Sequence, residues 1–339
     1  MKTEINNNRI DMIDYLRGFA LIGVLLINVI GLLKIELPSP KSIDESYQHF
    51  VYLFVEGRFY IIFTFLFGIG FYIFITRAKE KGSNAYILFV RRLIILYPIG
   101  YIHSMFSPGE ALAAYAVLGM LLLPFYKFKK QINLALGVLG VICLSYLGSK
   151  ELLIIPLFLL GLAAGQYCIF ENISENIKKY KIFTMIVVVL SVIGLWFQYI
   201  HIPSKIFPFI VNVKRPEAIA SNTFLQIGVI IGPIISASYV GILILLLQYT
   251  WVQKLLSPLK YYGRMALTNY ISQTALVLIG GYCFRLTGNI SYSQSLFLCI
   301  GIYVIQLLFS MVWLQFFRMG PLEWLWRMCT YWKVIPNKK

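Results

Sequence analysis

The amino-acid sequence predicts an all-α protein, a polytopic transmembrane helix bundle of about ten spans with both termini in the cytoplasm. Composition is the first reason, because 59% of the 339 residues are hydrophobic and only 13% are charged. The mean hydropathy is +0.76. Apolar runs of about 20 residues, the length that crosses a bilayer, recur along the chain. Disordered chains and disulfide-stapled secreted domains are excluded, since both need polar or cysteine-rich compositions.

Hydropathy and turn residues then give the individual spans. The apolar run 19–33 is interpreted as a retained first span, because acidic residues precede it and no small-residue cleavage site follows. A Ser-Pro-Gly turn at 107–109 separates the third span from the fourth. No segment between the spans is long enough to be a linker between soluble domains. We therefore expect residues 1–339 to form one membrane domain. The ten predicted spans are 16–35, 53–76, 88–106, 110–126, 132–148, 151–169, 182–200, 223–249, 265–286 and 294–317.

The distribution of basic residues predicts the orientation. Lys and Arg are retained on the cytoplasmic side of short membrane loops. With the N-terminus inside, 22 of the 30 basic residues lie at cytoplasmic ends. The formal charge of +16 therefore reflects orientation, and nucleic acid is not an expected partner because no basic stripe with interleaved aromatic residues occurs outside the spans. The outside set is Lys34, Lys41, Arg58, Lys150, Lys205, Lys214, Arg215 and Arg285.

His103 and Glu110 flank the turn at 107–109. The turn reverses the chain, so the end of the third span and the start of the fourth lie side by side and the two side chains can approach. A carboxylate beside an imidazole fixes its tautomer and raises its basicity, as a general base or proton shuttle requires. The alternative is an interfacial histidine and a glutamate that complements a helix dipole.

A second histidine precedes a basic residue in the first outer loop. His49 is followed by Arg58 at the mouth of the second span. Arg58 could hold a carboxylate or phosphate group of a substrate. The alternatives are a solvated histidine and an arginine that reaches from the membrane interface into water.

Charged residues also gather at the predicted cytoplasmic ends of several spans. Converging helix ends would form a guanidinium-rich mouth suited to a phosphorylated or nucleotide-bearing ligand. The retention of basic residues on the cytoplasmic side is the alternative explanation. The residues are Asp14, Arg17, Arg77, Arg91, Arg92 and Arg264.

Amide side chains occur inside the predicted spans. Asn28 lies in the first span, and Asn269 and Gln273 belong to a polar ridge in the ninth. They could line a substrate cavity or join helices through hydrogen bonds, worth about 1 kcal/mol each. The five cysteines have neither metal-ligand nor redox spacing, so no metal or disulfide is expected.

Several sequence blocks resemble the YeiB-like family of bacterial membrane proteins, a family with a domain of unknown function. The resemblance implies a multi-pass protein of the bacterial plasma membrane. The blocks follow one another in order along the whole chain. They are Ile13-Asp14-Tyr15-Leu16-Arg17-Gly18-Phe19-Ala20, Phe65-Leu66-Phe67-Gly68-Ile69-Gly70, Gly100-Tyr101-Ile102-His103, Gly109-Glu110-Ala111-Leu112, Gly263-Arg264-Met265-Ala266-Leu267-Thr268-Asn269-Tyr270 and Gly320-Pro321-Leu322-Glu323-Trp324-Leu325-Trp326-Arg327.

The Asp-x-x-Arg-Gly sequence at 14–18 is also similar to that of the transmembrane acyltransferase group, which includes heparan-alpha-glucosaminide N-acetyltransferase. This resemblance implies acyl-CoA as the donor, a catalytic histidine and a glycan or lipid-linked acceptor. Two departures matter. Members of the YeiB-like family often carry Asp where this chain has Glu110, and the loop histidine of the acyltransferases falls nearer His49 than His103.

Taken together, these features predict an acyltransferase that moves an acyl group, expected to be acetyl, from cytosolic acyl-CoA to an envelope glycan or lipid-linked sugar. The arginines at the inner mouth would bind CoA phosphates, and His103 with Glu110 would act at the outer end. A transporter of a small metabolite or lipid intermediate is the rival prediction, because carriers also place titratable pairs along their path. A sensor or partner subunit is the third. The lipid bilayer is the expected surrounding, and the sequence allows a homo-oligomer.

A reporter fused after Lys339 and cysteines placed near Pro108 test the predicted orientation. Because most basic residues lie at ends assigned to the cytoplasm, we expect the reporter to be active inside the cell. The cysteines should react with a membrane-impermeant reagent from outside. A C-terminus accessible from outside would contradict the topology and the outer location of His103.

Overall fold

The protein is described by a computed structural model that covers residues 2–107, 109–171, 173–207 and 215–339, and over these residues its regular structure is helical. An isolated antiparallel bridge joins Phe317 to Lys338 near the C-terminus. The all-α prediction is confirmed for this part of the chain. Pro108, near which the labels are placed, and Lys214 of the outside set lie outside the described residues.

The helices follow one another with short connections. A π-helical turn, Val51–Val55, extends α2, and a 3-10 turn, Glu151–Leu153, precedes α8. The helices are α1 (Lys2–Leu32), α2 (Ile43–Phe50), α3 (Arg58–Glu80), α4 (Ala85–Ser104), α5 (Leu112–Gly119), α6 (Leu122–Phe125), α7 (Lys130–Ser145), α8 (Ile154–Gln166), α9 (Ile177–Tyr199), α10 (Pro216–Leu246), α11 (Thr250–Leu255), α12 (Ser257–Arg264), α13 (Ala266–Cys283), α14 (Tyr292–Phe316) and α15 (Pro321–Tyr331).

Within the described ranges, six helical stretches are long and apolar enough to cross a membrane, and each corresponds to one of the ten predicted spans. They are Asp11–Leu32, Ile43–Glu80, Ala85–Ser104, Ile177–Tyr199, Pro216–Leu246 and Tyr292–Phe316.

The four remaining predicted spans take other forms. The segment 110–126 forms the short helices α5 and α6, each far below the length of about 20 residues that a crossing needs. The fifth and sixth correspond to shorter apolar helices, Lys130–Ser145 and Glu151–Gln166. The ninth is α13, which has 18 residues and carries the polar ridge. A total of ten spans and the side of each terminus stay predictions.

Side-chain contacts place the connections at two ends of the bundle. At one end, Asp44 accepts hydrogen bonds from Ser291 and Ser293, and Lys150 pairs with Glu56. We call this the Arg58 end, because Arg58 begins α3 beside these residues. These connections were all predicted to lie outside.

At the other end, α15 contacts the start of α13 and the start of α4. Glu323 accepts hydrogen bonds from Thr268, and Trp326 donates one to the Arg92 carbonyl. We call this the Arg17 end. The sequence predicted these connections to lie in the cytoplasm.

Glycines allow two pairs of helices to approach backbone to backbone. A Cβ atom added to Gly263 would lie 1.8 Å from the carbonyl oxygen of Asp14, and one added to Gly18 would lie 2.2 Å from that of Leu259. A Cβ atom on Gly68 would similarly lie 2.2 Å from a backbone oxygen of α8. In lipid no hydrophobic driving force brings helices together. Small residues at such contacts let the backbones approach closely, so that van der Waals packing can hold the helices together. The first contact fixes α1 against α12.

The core and the periphery differ as expected for a protein in a bilayer. Helix α3 packs against α1, α4, α8 and α10, and its Phe71 is buried. Helix α9 packs mainly on α10 and leaves one face open, with Ile186, Ile193 and Trp196 exposed. An apolar face of this size on an outer helix indicates contact with lipid.

Gly263→Ala tests the close contact of α1 with α12. We expect it to lower the free energy of unfolding by about 1–3 kcal/mol, because the new methyl group clashes with backbone atoms of α1, which cannot rotate out of the way as a side chain could. Gly301→Ala is the matched control, since a Cβ atom there has no neighbour within 4 Å. Thermal unfolding in detergent measures both. Equal melting temperatures for the two variants would contradict the close approach.

Candidate functional site

The Arg17 end contains a cavity of about 430 Å³, which we call the Arg17 cavity. It lies between α1, α3, α4, α12, α13 and α15. Cations outnumber acids among the described residues that line it. The cations are Arg17, Arg77, Lys81, Arg92, Arg264 and Arg327, and the acids are Asp14 and Glu323.

Both acids of the Arg17 cavity are engaged by other groups. Asp14 Oδ1 lies 3.5 Å from Arg17 Nη1. Glu323 Oε1 accepts hydrogen bonds from the backbone N–H groups of Leu267, at 2.7 Å, and Thr268, at 3.0 Å, and Oε2 accepts one from the Thr268 hydroxyl at 2.6 Å. Burial raises the pKa of the Glu323 carboxyl, and these donors partly oppose that rise. Glu323 therefore caps the start of α13 and makes no ion pair with a cation of the cavity among the described residues.

Aromatic rings of α15 and α3 hold an arginine of the cavity in place. The Arg92 guanidinium carbon lies 3.6 Å from the centre of the Trp326 ring and 5.2 Å from that of Phe74. Arg91 points elsewhere and stacks on Trp332 at 4.6 Å. Cation–π contacts of this kind stabilise an arginine without neutralising its charge.

Of the predicted inner-mouth residues, Asp14, Arg17, Arg77, Arg92 and Arg264 line the Arg17 cavity. Arg91 does not. Sequence reasoning gave no role to Lys81, Arg327, Glu323 or Trp326, which also line it. The block at 320–327, noted only for its resemblance, was the available signal for three of them.

The Arg58 end contains a second cavity, of about 620 Å³, which we call the Arg58 cavity. It combines polar side chains with tyrosine rings and an apolar wall from α1. Its polar and aromatic lining includes Asn28, Tyr52, Glu56, Arg58, Tyr60, Glu110, Tyr115, Lys150, Glu151, Gln198 and Tyr270.

Arg58 is the most deeply buried cation of this cavity, with 1% of its surface exposed. Its guanidinium donates to the carbonyl oxygens of Glu56, at 2.8 Å, and Gly228, at 2.9 Å, and to Gln198 Oε1 at 2.7 Å. The Glu56 carboxylate pairs with Lys150 and raises the pKa of that ammonium group. Arg58 thus braces α3 against α9 and α10 at the cavity wall.

The two cavities share part of their lining. Phe63, Leu112, Tyr115 and Tyr270 line both. These side chains form the wall between a cavity at one end of the bundle and a cavity at the other. We call them the shared wall.

The structure brings His103 and Glu110 together beside the shared wall. His103 Nδ1 lies 3.5 Å from Glu110 Oε1, and the imidazole packs 5.0 Å from the Tyr270 ring. The Glu110 carboxylate also accepts the N–H groups of Leu112, at 2.6 Å, and Ala113, at 3.0 Å, and so caps α5. The turn at 107–109 was the sequence signal for this proximity.

A third residue, Thr274 on α13, joins the pair. Its hydroxyl lies 2.9 Å from His103 Nε2. Sequence reasoning missed Thr274, which follows directly after the polar ridge. It lies 171 positions from His103, so no local pattern could connect the two.

The remaining candidates lie apart from one another. Asn28 lines the Arg58 cavity, whereas His49, on α2, lines neither cavity. Asn269 and Gln273 are buried among helices and also line neither. Asn269 donates to the Tyr262 carbonyl and to Ser310, and Gln273 donates to the Leu21 carbonyl and to the Tyr262 hydroxyl. These two amides join α1, α12, α13 and α14, which matches the alternative of interhelical hydrogen bonds.

The long apolar helices and the cavities at both ends define a multi-helix membrane protein. The chain belongs to the family described as "Protein of unknown function (DUF418)", whose model matches residues 164–333. It is 51% identical over 335 residues to the "Uncharacterized 39.9 kDa protein in amylase 3'region" of Bacillus acidopullulyticus. The matched region covers 97% of this chain and 96% of the relative.

More distant relatives extend over nearly the whole chain. The "Uncharacterized protein YxaH" of Bacillus subtilis (strain 168) is 25% identical, over 100% of this chain and 98% of its own length. The "Uncharacterized protein YeiB" of Escherichia coli (strain K12) is 25% identical, over 94% and 95%. The predicted YeiB-like family is therefore confirmed. No solved structure matches the chain.

Glu110→Ala tests the cap on α5. We expect it to lower the free energy of unfolding by about 1–2 kcal/mol, because two backbone N–H groups lose a charged acceptor. Glu110→Asp should retain most of the stability. Glu36→Ala is the control, since Glu36 is exposed in a loop. Thermal unfolding measures all three, and a Glu110→Ala variant as stable as Glu36→Ala would contradict the cap.

Proposed function

We propose that the protein is a transmembrane acyltransferase of the bacterial plasma membrane. It takes an acyl group, expected to be acetyl, from acyl-CoA in the Arg17 cavity. It transfers this group to a hydroxyl or amine of an envelope glycan or lipid-linked sugar in the Arg58 cavity. The observation that carries the proposal is the shared wall, which joins the two cavities beside the His103–Glu110 pair. The similarity of the 14–18 sequence to the acyltransferase group supports it.

The charge of the Arg17 cavity supports a donor with several phosphates. Guanidinium groups bind phosphate oxygens through paired, charge-assisted hydrogen bonds. Arg92, Arg264 and Arg327 make no ion pair with a carboxylate among the described residues. Their charge is therefore left for an anionic ligand. The predicted cytoplasmic location of this end matches the compartment that supplies acyl-CoA.

The lining of the Arg58 cavity supports an acceptor rich in hydroxyl groups. Amide groups donate and accept hydrogen bonds and carboxylate groups accept them, a combination that suits the hydroxyl groups of a sugar. Asn28, Gln198 and Glu56 supply these groups, and Tyr52 and Tyr60 add aromatic surface. The apolar side of the cavity on α1 suits the hydrocarbon of a lipid-linked acceptor.

Transfer between the cavities requires a base at the wall. Glu110 Oε1 lies 3.5 Å from His103 Nδ1, where it would stabilise positive charge that develops on the imidazole during transfer. General-base catalysis of this kind contributes about 10²–10⁴-fold to a rate. Both groups are shielded from water, which strengthens their interaction.

The rival function is transport of a small metabolite or lipid intermediate. A closed wall between cavities at opposite ends also suits an occluded carrier, and carriers use titratable pairs along their path. The two functions differ in their products. An acyltransferase releases free CoA from acyl-CoA when an acceptor is present, whereas a carrier moves an unchanged solute into vesicles.

Arg17→Ala and Arg264→Ala test the donor cavity. We expect each to weaken acetyl-CoA binding at least tenfold, about 1.4 kcal/mol, because each removes a charge-assisted contact with phosphate. Arg91→Ala is the matched control, since Arg91 stacks on Trp332 outside the cavity. Calorimetry on purified protein in lipid nanodiscs gives the affinities. Unchanged binding in folded Arg17→Ala and Arg264→Ala proteins would contradict the assignment.

His103→Ala tests the catalytic pair. We expect the rate of acetyl transfer to fall by about 10²–10⁴-fold at near-normal acetyl-CoA affinity, with a smaller fall for Glu110→Gln. His201→Ala is the control, because His201 is exposed at the end of α9. His49→Ala tests the other candidate catalytic histidine in the same assay. Loss of transfer in His49→Ala with a normal rate in His103→Ala would assign catalysis to His49.

A further inference from the structure

Both nitrogens of the His103 imidazole face protein groups. Nδ1 faces the Glu110 carboxylate, and Nε2 lies 2.9 Å from the Thr274 hydroxyl. His103 is 5% exposed and lines neither cavity. The hydroxyl within hydrogen-bond distance of Nε2 is that of Thr274, which also lines neither cavity.

The imidazole tautomer with its proton on Nδ1 lets Nε2 accept from the Thr274 hydroxyl. In that tautomer Nδ1 faces Glu110 Oε1 at 3.5 Å and makes no hydrogen bond to the described residues. Nε2 then carries the lone pair and accepts the proton of the Thr274 hydroxyl. Carboxylate, imidazole and hydroxyl in this order form the arrangement that activates a hydroxyl nucleophile in hydrolases of unrelated fold.

We infer that Thr274 is the nucleophile of the protein and carries the acyl group between donor and acceptor. This inference rests on the proposed function. Thr274 Oγ1 attacks the thioester carbonyl as its proton passes to His103 Nε2. The carbon–sulfur bond breaks, the CoA thiolate takes that proton, and an acyl ester of Thr274 remains.

The second half of the reaction restores the enzyme. The acceptor hydroxyl or amine attacks the ester carbonyl and gives its proton to His103 Nε2. The bond between the acyl carbon and Thr274 Oγ1 breaks, and the threonine oxygen recovers the proton from the imidazole. Glu110 stabilises the protonated imidazole in both halves.

The position of Thr274 fits a carrier between two cavities. It lies one helical turn after Tyr270 on α13, and Tyr270 belongs to the shared wall. Thr274 is 4% exposed and lines neither cavity, so the inference requires the shared wall to open for each substrate. A covalent carrier at this point lets the donor stay in the Arg17 cavity and the acceptor in the Arg58 cavity. The expected kinetics are ping-pong, since the two substrates never need to meet.

A purely structural hydrogen bond between Thr274 and His103 would give a different result. It would affect folding or the orientation of the imidazole, but it would place no acyl group on Thr274. Covalent labelling therefore separates the two roles. Thr274→Val removes the hydroxyl at nearly constant shape, and Thr274→Ser keeps a hydroxyl nucleophile. Thr184→Val is the matched control, because Thr184 is a buried threonine on α9 that has no hydrogen-bond partner among the described residues.

The experiment incubates each purified protein in nanodiscs with [¹⁴C]acetyl-CoA and no acceptor, and then maps the labelled peptide by mass spectrometry. Acetyl-CoA affinity is measured on the same samples. We expect wild type, Thr184→Val and Thr274→Ser to carry label at position 274. Thr274→Val should bind acetyl-CoA normally, carry no label there and transfer acetyl at least 100-fold more slowly.

Three outcomes would overturn the inference. Label on His103 itself, or a Thr274→Val protein that transfers at the wild-type rate, would exclude a threonine carrier while leaving the proposed function intact. A wild-type protein that neither binds acetyl-CoA nor releases CoA would overturn the proposed function and the inference together. If Thr274→Val does not fold, the position of the label in wild type and Thr274→Ser decides the question.

Discussion

The backbone contact between α1 and α12 is the constraint on which the Arg17 end and the shared wall both depend. Gly263 lies against the Asp14 carbonyl, so Arg17 on α1 and Arg264 on α12 are held at one cavity. Helix α12 leads directly into α13, which carries Tyr270 of the wall. A shift at this contact would therefore move the cations of the Arg17 cavity and the wall together. Close packing of this kind transmits displacement because interiors resist compression.

Carboxylates fix the starts of helices throughout the bundle. Glu110 accepts N–H groups of α5, Glu323 those of α13, and Asp44 accepts from Ser291 and Ser293 at the start of α14. The unpaired N–H groups of a first helical turn carry partial positive charge, so each acid is stabilised by the helix that it caps. Arg58 is the corresponding case among the cations. Its guanidinium donates to carbonyl and amide oxygens and not to a carboxylate. In the Arg17 cavity, Arg92, Arg264 and Arg327 also have no carboxylate partner among the described residues.

Local sequence predicted the parts of the site that local geometry builds. The turn predicted at 107–109 lies between His103 and Glu110 in the sequence, and their proximity followed from it. The neighbours Arg91 and Arg92 show the limit of such reasoning. Successive residues on a helix point about 100° apart, so one arginine lines the cavity and the other stacks on Trp332. Which of the two arginines faces the cavity depends on how α15 packs against α4, and the local sequence pattern does not contain that information.

The sequence by itself determined the helical membrane class and the family, because apolar composition and ordered blocks of residues are properties of the chain. It also determined that cations would gather at particular helix ends. The tertiary structure decided which polar residues meet. Thr274 reaches His103 across 171 positions, and Glu323 reaches Thr268 across 55. It likewise decided that Asn269 and Gln273 join helices and that the segment 110–126 bends into two short helices. These outcomes depend on helix packing, in which contacts between distant segments override local hydropathy.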